Sequence, residues 1–216
     1  MPRQSRIDAP GALHHVMIRG IERTMIFRND KDRESFLDRL GATLVESSTS
    51  CYAWSLLSNH AHFLLRTGKI PIARVMRKVL TGYALTFNRR YRRSGHLFQN
   101  RYKSILCEED VYLRELVRYI HLNPFRSGLV QDLRELDAYA YSGHSVLMGK
   151  KKREWQDREY VLRYFGESER EAKRGYVSYV SEGVEQGRRP ELVGGGLLRS
   201  VGVGRDCMRF EIREKG

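Results

Sequence analysis

The stretch CYAWSLLSNHAHFLLR, residues 51–66, contains two apolar runs, Cys51 to Leu57 and His60 to Arg66, separated by Ser58-Asn59. Two polar turn formers between runs of strand length are the pattern of a β-hairpin. In the second run a period of two sends His60 and His62 to one face, and Ala61 and Phe63 to the other. On the N-terminal side, Ala12 to Arg19 alternates loosely and ends at Gly20, which predicts a first strand. Asp30 or Asp32 can cap a helix to about Ser47 with Phe36, Leu37, Leu40, Leu44 and Val45 on its apolar face. On the C-terminal side Pro71 opens a helix to about Arg92, with Ile72, Val75, Val79, Tyr83 and Phe87 inward. A fourth strand falls within Leu97 to Leu106. A helix starting at Glu108-Glu109-Asp110, acids at its positive end, runs to Asn123 before Pro124. The order β-α-β-β-α-β-α predicts an α+β fold, a ferredoxin-like antiparallel sheet with helices packed on it.

Beyond Met148 the character changes. Lys150 to Arg153 reads as a linker, Asp157 to Gln186 as two short helices, and the Gly/Arg-rich residues 194–216 as a weakly ordered tail. The expected organisation is therefore a domain over 1–148, a small helical C-terminal extension over 149–193, and the tail. No apolar run approaches the ~20 residues of a membrane span, and the N-terminus leads into no apolar signal segment. Three widely spaced cysteines, Cys51, Cys107 and Cys207, fit neither a disulfide framework nor a zinc finger and suit a reducing cytoplasm.

The chain carries a formal net charge of +13 over 216 residues, and its distribution says more than the total. Between Glu46 and Glu108 lie 61 residues without a carboxylate and with 11 basic side chains, while the remainder holds 28 basic and 26 acidic residues. Such a block suits a phosphate backbone. Tyr83, Phe87, Tyr91, Phe98 and Tyr102 are interleaved with it, either as stacking platforms for unpaired bases or as a helix's core face. The candidate DNA surface comprises Arg74, Arg77, Lys78, Arg89, Arg90, Arg92, Arg93, Arg101 and Lys103.

Two imidazoles side by side on a strand, His60 and His62, can clamp a divalent metal, though surface histidines also occur in such pairs. Tyr119 and Asn123, four apart, project from one helical face. If that face lies over the histidines, Asn123 offers an amide oxygen as a third ligand and Tyr119 is delivered beside the metal. The plainer alternative is a buried tyrosine and a helix C-cap ahead of proline.

Four segments in order, His15-Val16 with Arg19-Gly20, Asn59 to His62, Gly95 to Ser104 and Tyr119 to Pro124, resemble the HUH-type single-strand DNA transposases with one catalytic tyrosine. The resemblance covers roughly residues 10 to 148 and is greatest to the REP-associated tyrosine transposases of bacteria. Ser58, Ala61, Phe125 and Ser127 depart from the usual pattern without removing a chemical group. The resemblance implies His60, His62 and Asn123 as ligands of Mg²⁺ or Mn²⁺ and Tyr119 as nucleophile. It further implies a cytoplasmic, nucleoid-associated endonuclease and strand transferase. Its partners would be single-stranded DNA hairpins of repetitive palindromic sequence, with no membrane partner, and it would act as a monomer or homodimer through a 5′-phosphotyrosine. The competing classes are a non-catalytic single-stranded DNA or RNA binding module and an HUH-type replication initiator.

Overall fold

The computed structural model describes residues 9–107 and 109–186. The expected tail at 194–216, Cys207 and the acidic helix start at Glu108 lie outside the described residues. Four strands, β1 (Leu13–Arg19), β2 (Ser50–Leu56), β3 (His60–Arg66) and β4 (Lys103–Cys107), form one antiparallel sheet in the order β2-β3-β1-β4. This is the ferredoxin-like arrangement that the element order implies. Helices α1 (Asp30–Glu46) and α2 (Ile72–Arg90) cover one face, and α3 (Glu109–His121) lies over β2 and β3 on the other.

Strand parity divides the side chains. Val16, Ile18, Ala61, Phe63 and Leu65 join Phe36, Leu40, Val75, Val79, Tyr83 and Phe87 in the core under α1 and α2. Leu13, Tyr52 and Leu64 pack on the opposite side with Leu113, Leu116, Val117 and Ile120 of α3. By the same parity His60 and His62 belong to the α3 side. Four short helices follow, α4 (Asn123–Arg126), α5 (Leu133–Ala138), α6 (Gly143–Leu147) and α7 (Arg158–Leu162), and then α8 (Glu169–Glu182). Leu136, Leu147, Val161, Ala172, Tyr176 and Val180 enter the same cluster as α3, so the helices past residue 148 brace α3 rather than bury a separate core.

Several local expectations are corrected. The cap of α1 is Asn29, whose side chain accepts from the Asp32 amide, not Asp30 or Asp32. Asp32 is instead buried, accepting from the Arg28 amide and the Tyr91 hydroxyl and pairing with Arg90. Val45 is 72% exposed, because it lies one helical step past Leu44 and off the apolar face. Helix α2 ends at Arg90, and Arg92 turns away with φ of 50°. The fourth strand starts only at Lys103, while Phe98 forms an isolated bridge with Gly20. Helix α3 stops at His121, and Asn123 opens α4 with Pro124 in its first turn, where a missing N–H costs no hydrogen bond. Tyr83 and Phe87 are core residues at 1% exposure each, and Tyr102 is buried at 6%, so none of the three is a surface platform for bases.

Candidate active site

A cavity of about 820 Å³ opens where the N-terminal end of β3 meets the C-terminal end of α3. It is lined by His60, His62, Tyr119, Asn123, Arg19, Arg23, Asn59, Arg101, Lys103 and Arg126, among others. The hairpin and α3, 57 residues apart in sequence from His62 to Tyr119, thus bring together the four side chains singled out by spacing. The ring centroids of His60 and His62 are 5.3 Å apart, and those of His62 and Tyr119 are 5.9 Å apart in an edge-to-face pair. The Arg126 guanidinium stands 5.2 Å from the Tyr119 ring centroid.

Each candidate ligand is oriented by a neighbour. Asn59 donates from Nδ2 to the Arg23 carbonyl (3.0 Å), which turns its Oδ1 toward Nδ1 of His60 at 2.7 Å. His60 Nδ1 therefore carries the proton and donates, and Nε2 keeps its lone pair. The Arg23 carbonyl is presented by a tight loop in which Glu22 and Arg23 adopt φ of 50° and 60°. Gly20 begins that loop, and a Cβ there would lie 2.1 Å from the Thr24 carbonyl oxygen. In the second pair, His62 Nδ1 is 3.0 Å from His15 Nε2, the two rings stacked with centroids 5.3 Å apart. With the proton on His62 Nδ1, His15 accepts it and His62 also keeps an Nε2 lone pair. Asn123 donates from Nδ2 to the Tyr119 carbonyl (3.1 Å), which reserves its Oδ1 for another partner.

Burial, with Arg19 nearby, lowers the His60 pKa to about 4. Burial lowers His62 well below the usual histidine value, with His15, His60 and Arg19 acting in the same direction. Both rings are therefore neutral at pH 7, the state a metal ligand requires. Among the described residues no group of three or more His, Cys, Asp or Glu side chains is placed to hold a metal ion, which leaves the two imidazoles and the Asn123 amide oxygen as candidate donors. The amide oxygen suits Mg²⁺ or Mn²⁺ and the imidazoles suit later divalent metals, so the three would fit a divalent cation. None of the described lining residues is acidic, so this part of the cavity favours an anion such as phosphate.

The expected DNA surface is distributed unevenly. Arg101 and Lys103 line the cavity, and Arg74, Arg77 and Arg101 line a second one beside α2. Arg89 and Arg92 are exposed on the helix end, and Arg93 lies 5.9 Å over the Phe87 ring. Lys78 pairs with Glu46 at the surface and Arg90 with buried Asp32. Sequence reasoning missed His15, Asn59 and Arg126. The strand period does place His15 on the α3 side of β1, but its meeting with His62 depends on the register Met17↔His62.

The family model described as transposase, IS200-like, matches residues 10–123, a span from before β1 to Asn123. The chain belongs to the IS200-like transposase family. This transposase accordingly binds DNA and acts in DNA transposition. A solved REP-associated tyrosine transposase bound to a REP hairpin is 15% identical, with a TM-score of 0.53 over 73% of this chain and 98% of that one, a likeness of fold. A putative transposase from Deinococcus radiodurans R1 is 14% identical, with a TM-score of 0.39 over 53% of this chain and 93% of that one. No curated protein matches this transposase.

Proposed function

We propose that this transposase cleaves and rejoins single-stranded DNA at hairpin ends through a covalent bond to Tyr119. The observation that carries the reading is the cavity where Tyr119 meets two neutral imidazoles, one amide oxygen and a basic rim. His60, His62 and Asn123 would hold a divalent cation through His60 Nε2, His62 Nε2 and Asn123 Oδ1. Bound there, such a cation would polarise a phosphate oxygen and offset charge in the transition state. Arg101 and Lys103 would draw the phosphate into the cavity. Arg126, which donates to the Tyr119 carbonyl (3.3 Å) and stands over its ring, would hold the nucleophile in place. In the reaction the Tyr119 oxygen forms a bond to phosphorus, the bond to the 3′-oxygen breaks, and the proton given up by the phenol is balanced by one taken up by the leaving oxygen. The products are a 5′-phosphotyrosine and a free 3′-hydroxyl. Because a phosphodiester is kept, a 3′-hydroxyl can attack it in reverse and join strands without another energy source.

The hairpin preference is supported by the likeness of fold to the transposase solved with a REP hairpin and by the motif segments quoted above. We place the chemistry within residues 1–148 and assign to the helices after them the bracing of α3. The test is incubation of the full chain with Mn²⁺ and hairpin oligonucleotides bearing single-stranded flanks. The expected result is a covalent protein–DNA species on a denaturing gel, lost with chelator while native-gel binding to the hairpin persists. Binding without any adduct in either Mn²⁺ or Mg²⁺ would leave a binding module and contradict the enzyme.

A further inference from the structure

Arg19 is the last residue of β1, exposed, and lines the cavity that holds Tyr119. Strand parity puts it with His15 and Met17 on the α3 side of the sheet, while Val16 and Ile18 enter the core under α1 and α2. In the register of β1 with β3, Arg19 stands opposite His60 and Met17 opposite His62. Opposed residues of an antiparallel pair share a face, with Cβ atoms about 4.5–5.5 Å apart. The Arg19 side chain therefore leaves the sheet beside the first candidate ligand. Its root is held from both sides, because the Gln99 amide donates to the Arg19 carbonyl (2.9 Å) and the Gly20 amide to the Asn59 carbonyl (2.8 Å). Arg23 and Arg101, also in the lining, stem instead from the tight loop after β1 and from the segment before β4.

The charge of Arg19 has no counterpart of opposite sign. Among the described residues its guanidinium makes no ion pair, and no described residue in the cavity lining is acidic. It faces two imidazoles instead, and its charge acts together with burial to lower the pKa of both. A fixed cation beside two groups placed to bind a cation opposes them, and local conflicts of this kind mark functional sites. An anion lying between the guanidinium and the imidazoles resolves the conflict. In the reaction proposed above that anion is the phosphate at Tyr119, and a guanidinium offers its oxygens a planar, two-pronged set of donors. An arginine present only for solubility would be better placed away from the histidines. We propose that Arg19 is a catalytic residue, its guanidinium holding a non-bridging oxygen of the phosphate that Tyr119 attacks and stabilising the charge that develops there. Arginine keeps its proton throughout, so it forms and breaks no covalent bond and the balance of the reaction is unchanged. The proposal rests on the cleavage reading and adds to it a residue that meets the reacting group.

The experiment sets the full wild-type chain beside Arg19→Ala, an exposed change that spares the core. The probe is a hairpin oligonucleotide with a single-stranded flank in which a methylphosphonate, a methyl group in place of one non-bridging oxygen, is placed at each flank linkage in turn. Affinity is read by fluorescence anisotropy in the presence of chelator, so that neither metal nor chemistry enters. At one linkage the wild type should lose roughly tenfold or more, the order of a hydrogen bond between charged groups. In Arg19→Ala the same linkage should make almost no difference. On the unmodified oligonucleotide with Mn²⁺, adduct formation by Arg19→Ala should slow by roughly 10²–10³-fold, the share of one donor aimed at developing charge. Its Mn²⁺ affinity, read by calorimetry, should hold or rise, because a positive charge beside the ligands has gone. The absence of any linkage at which the two chains differ would overturn the proposal, and so would an undiminished adduct rate. A loss of Mn²⁺ affinity matching the loss of rate would also overturn it, since Arg19 would then act through the metal site. A coupled linkage without adducts in the wild type contradicts only the cleavage reading. Adducts at Tyr119 with no coupled linkage contradict only the role of Arg19.

Discussion

At the scale of single residues, the cavity depends on side chains that orient the candidate ligands. Asn59 and His15 each take one nitrogen of a candidate metal ligand, at 2.7 Å and 3.0 Å, and so decide which nitrogen is offered to the cavity. Partners of this kind typically carry a 10–100-fold share of metal affinity. Asn59→Ala should therefore weaken Mn²⁺ binding by roughly tenfold with little change in hairpin affinity, read by metal titration calorimetry beside anisotropy; an unchanged metal affinity would deny Asn59 that role. Strand parity places His60 and His62 on one face without tertiary information, whereas helical spacing alone suited a buried Tyr119 and a capping Asn123 equally, and the resemblance singled those two out; α3 stops at His121, before Asn123. His15 and Asn59 could not be assigned a role in this way. Their partners are fixed by the pairing of β1 with β3 and by a loop with two left-handed residues, and neither leaves a mark in local periodicity.

At the scale of elements, the end of α3 is held by α8. The Tyr176 hydroxyl lies 2.8 Å from His121 Nδ1 and 2.7 Å from His144 Nδ1, and His144 Nε2 lies 2.7 Å from Asp137. All three rings are buried. Arg118 stacks on Tyr179 at 4.0 Å and donates to its carbonyl, and Arg126 ties the Tyr119 carbonyl to that of Gly183. Tyr176→Phe leaves two buried imidazole nitrogens without this partner, so the loss should be about 1–3 kcal/mol. Denaturant unfolding measures it, and a variant as stable as the wild type would show that the network is not holding the helix. The main strands and long helices were legible because their apolar patterns are regular. Helices α5 and α6, of six and five residues, are too short to show a period. The aromatic spacing on α2 was ambiguous for a different reason. A core face and a stacking face follow the same interval, and only packing against α1, Phe36 against Tyr83 at 5.1 Å, separates them.

At the scale of the whole molecule, the carboxylate-free block folds into the hairpin, α2, β4 and the segment between α2 and β4, and four of its eleven basic residues, Arg74, Arg77, Arg101 and Lys103, line the two cavities. The sequence reveals that block but not which of its charges are already paired. Arg101→Ala and Lys103→Ala should each reduce the salt dependence of hairpin binding by about 0.7–0.9 in log–log slope, one phosphate contact apiece. Lys78→Ala should change it much less, since Lys78 faces Glu46. Equal effects at all three positions, measured by binding titrations across a salt series, would mean that the cavity holding Tyr119 does not carry the backbone. The most direct measurement is the site of covalent attachment. After reaction with a hairpin oligonucleotide and Mn²⁺, nuclease and trypsin digestion should leave a nucleotide phosphate on the peptide from Tyr119 to Arg126, located at Tyr119 by tandem mass spectrometry, and Tyr119→Phe should give no adduct while still binding the hairpin. Attachment at another residue, or an undiminished adduct in that variant, would contradict the account.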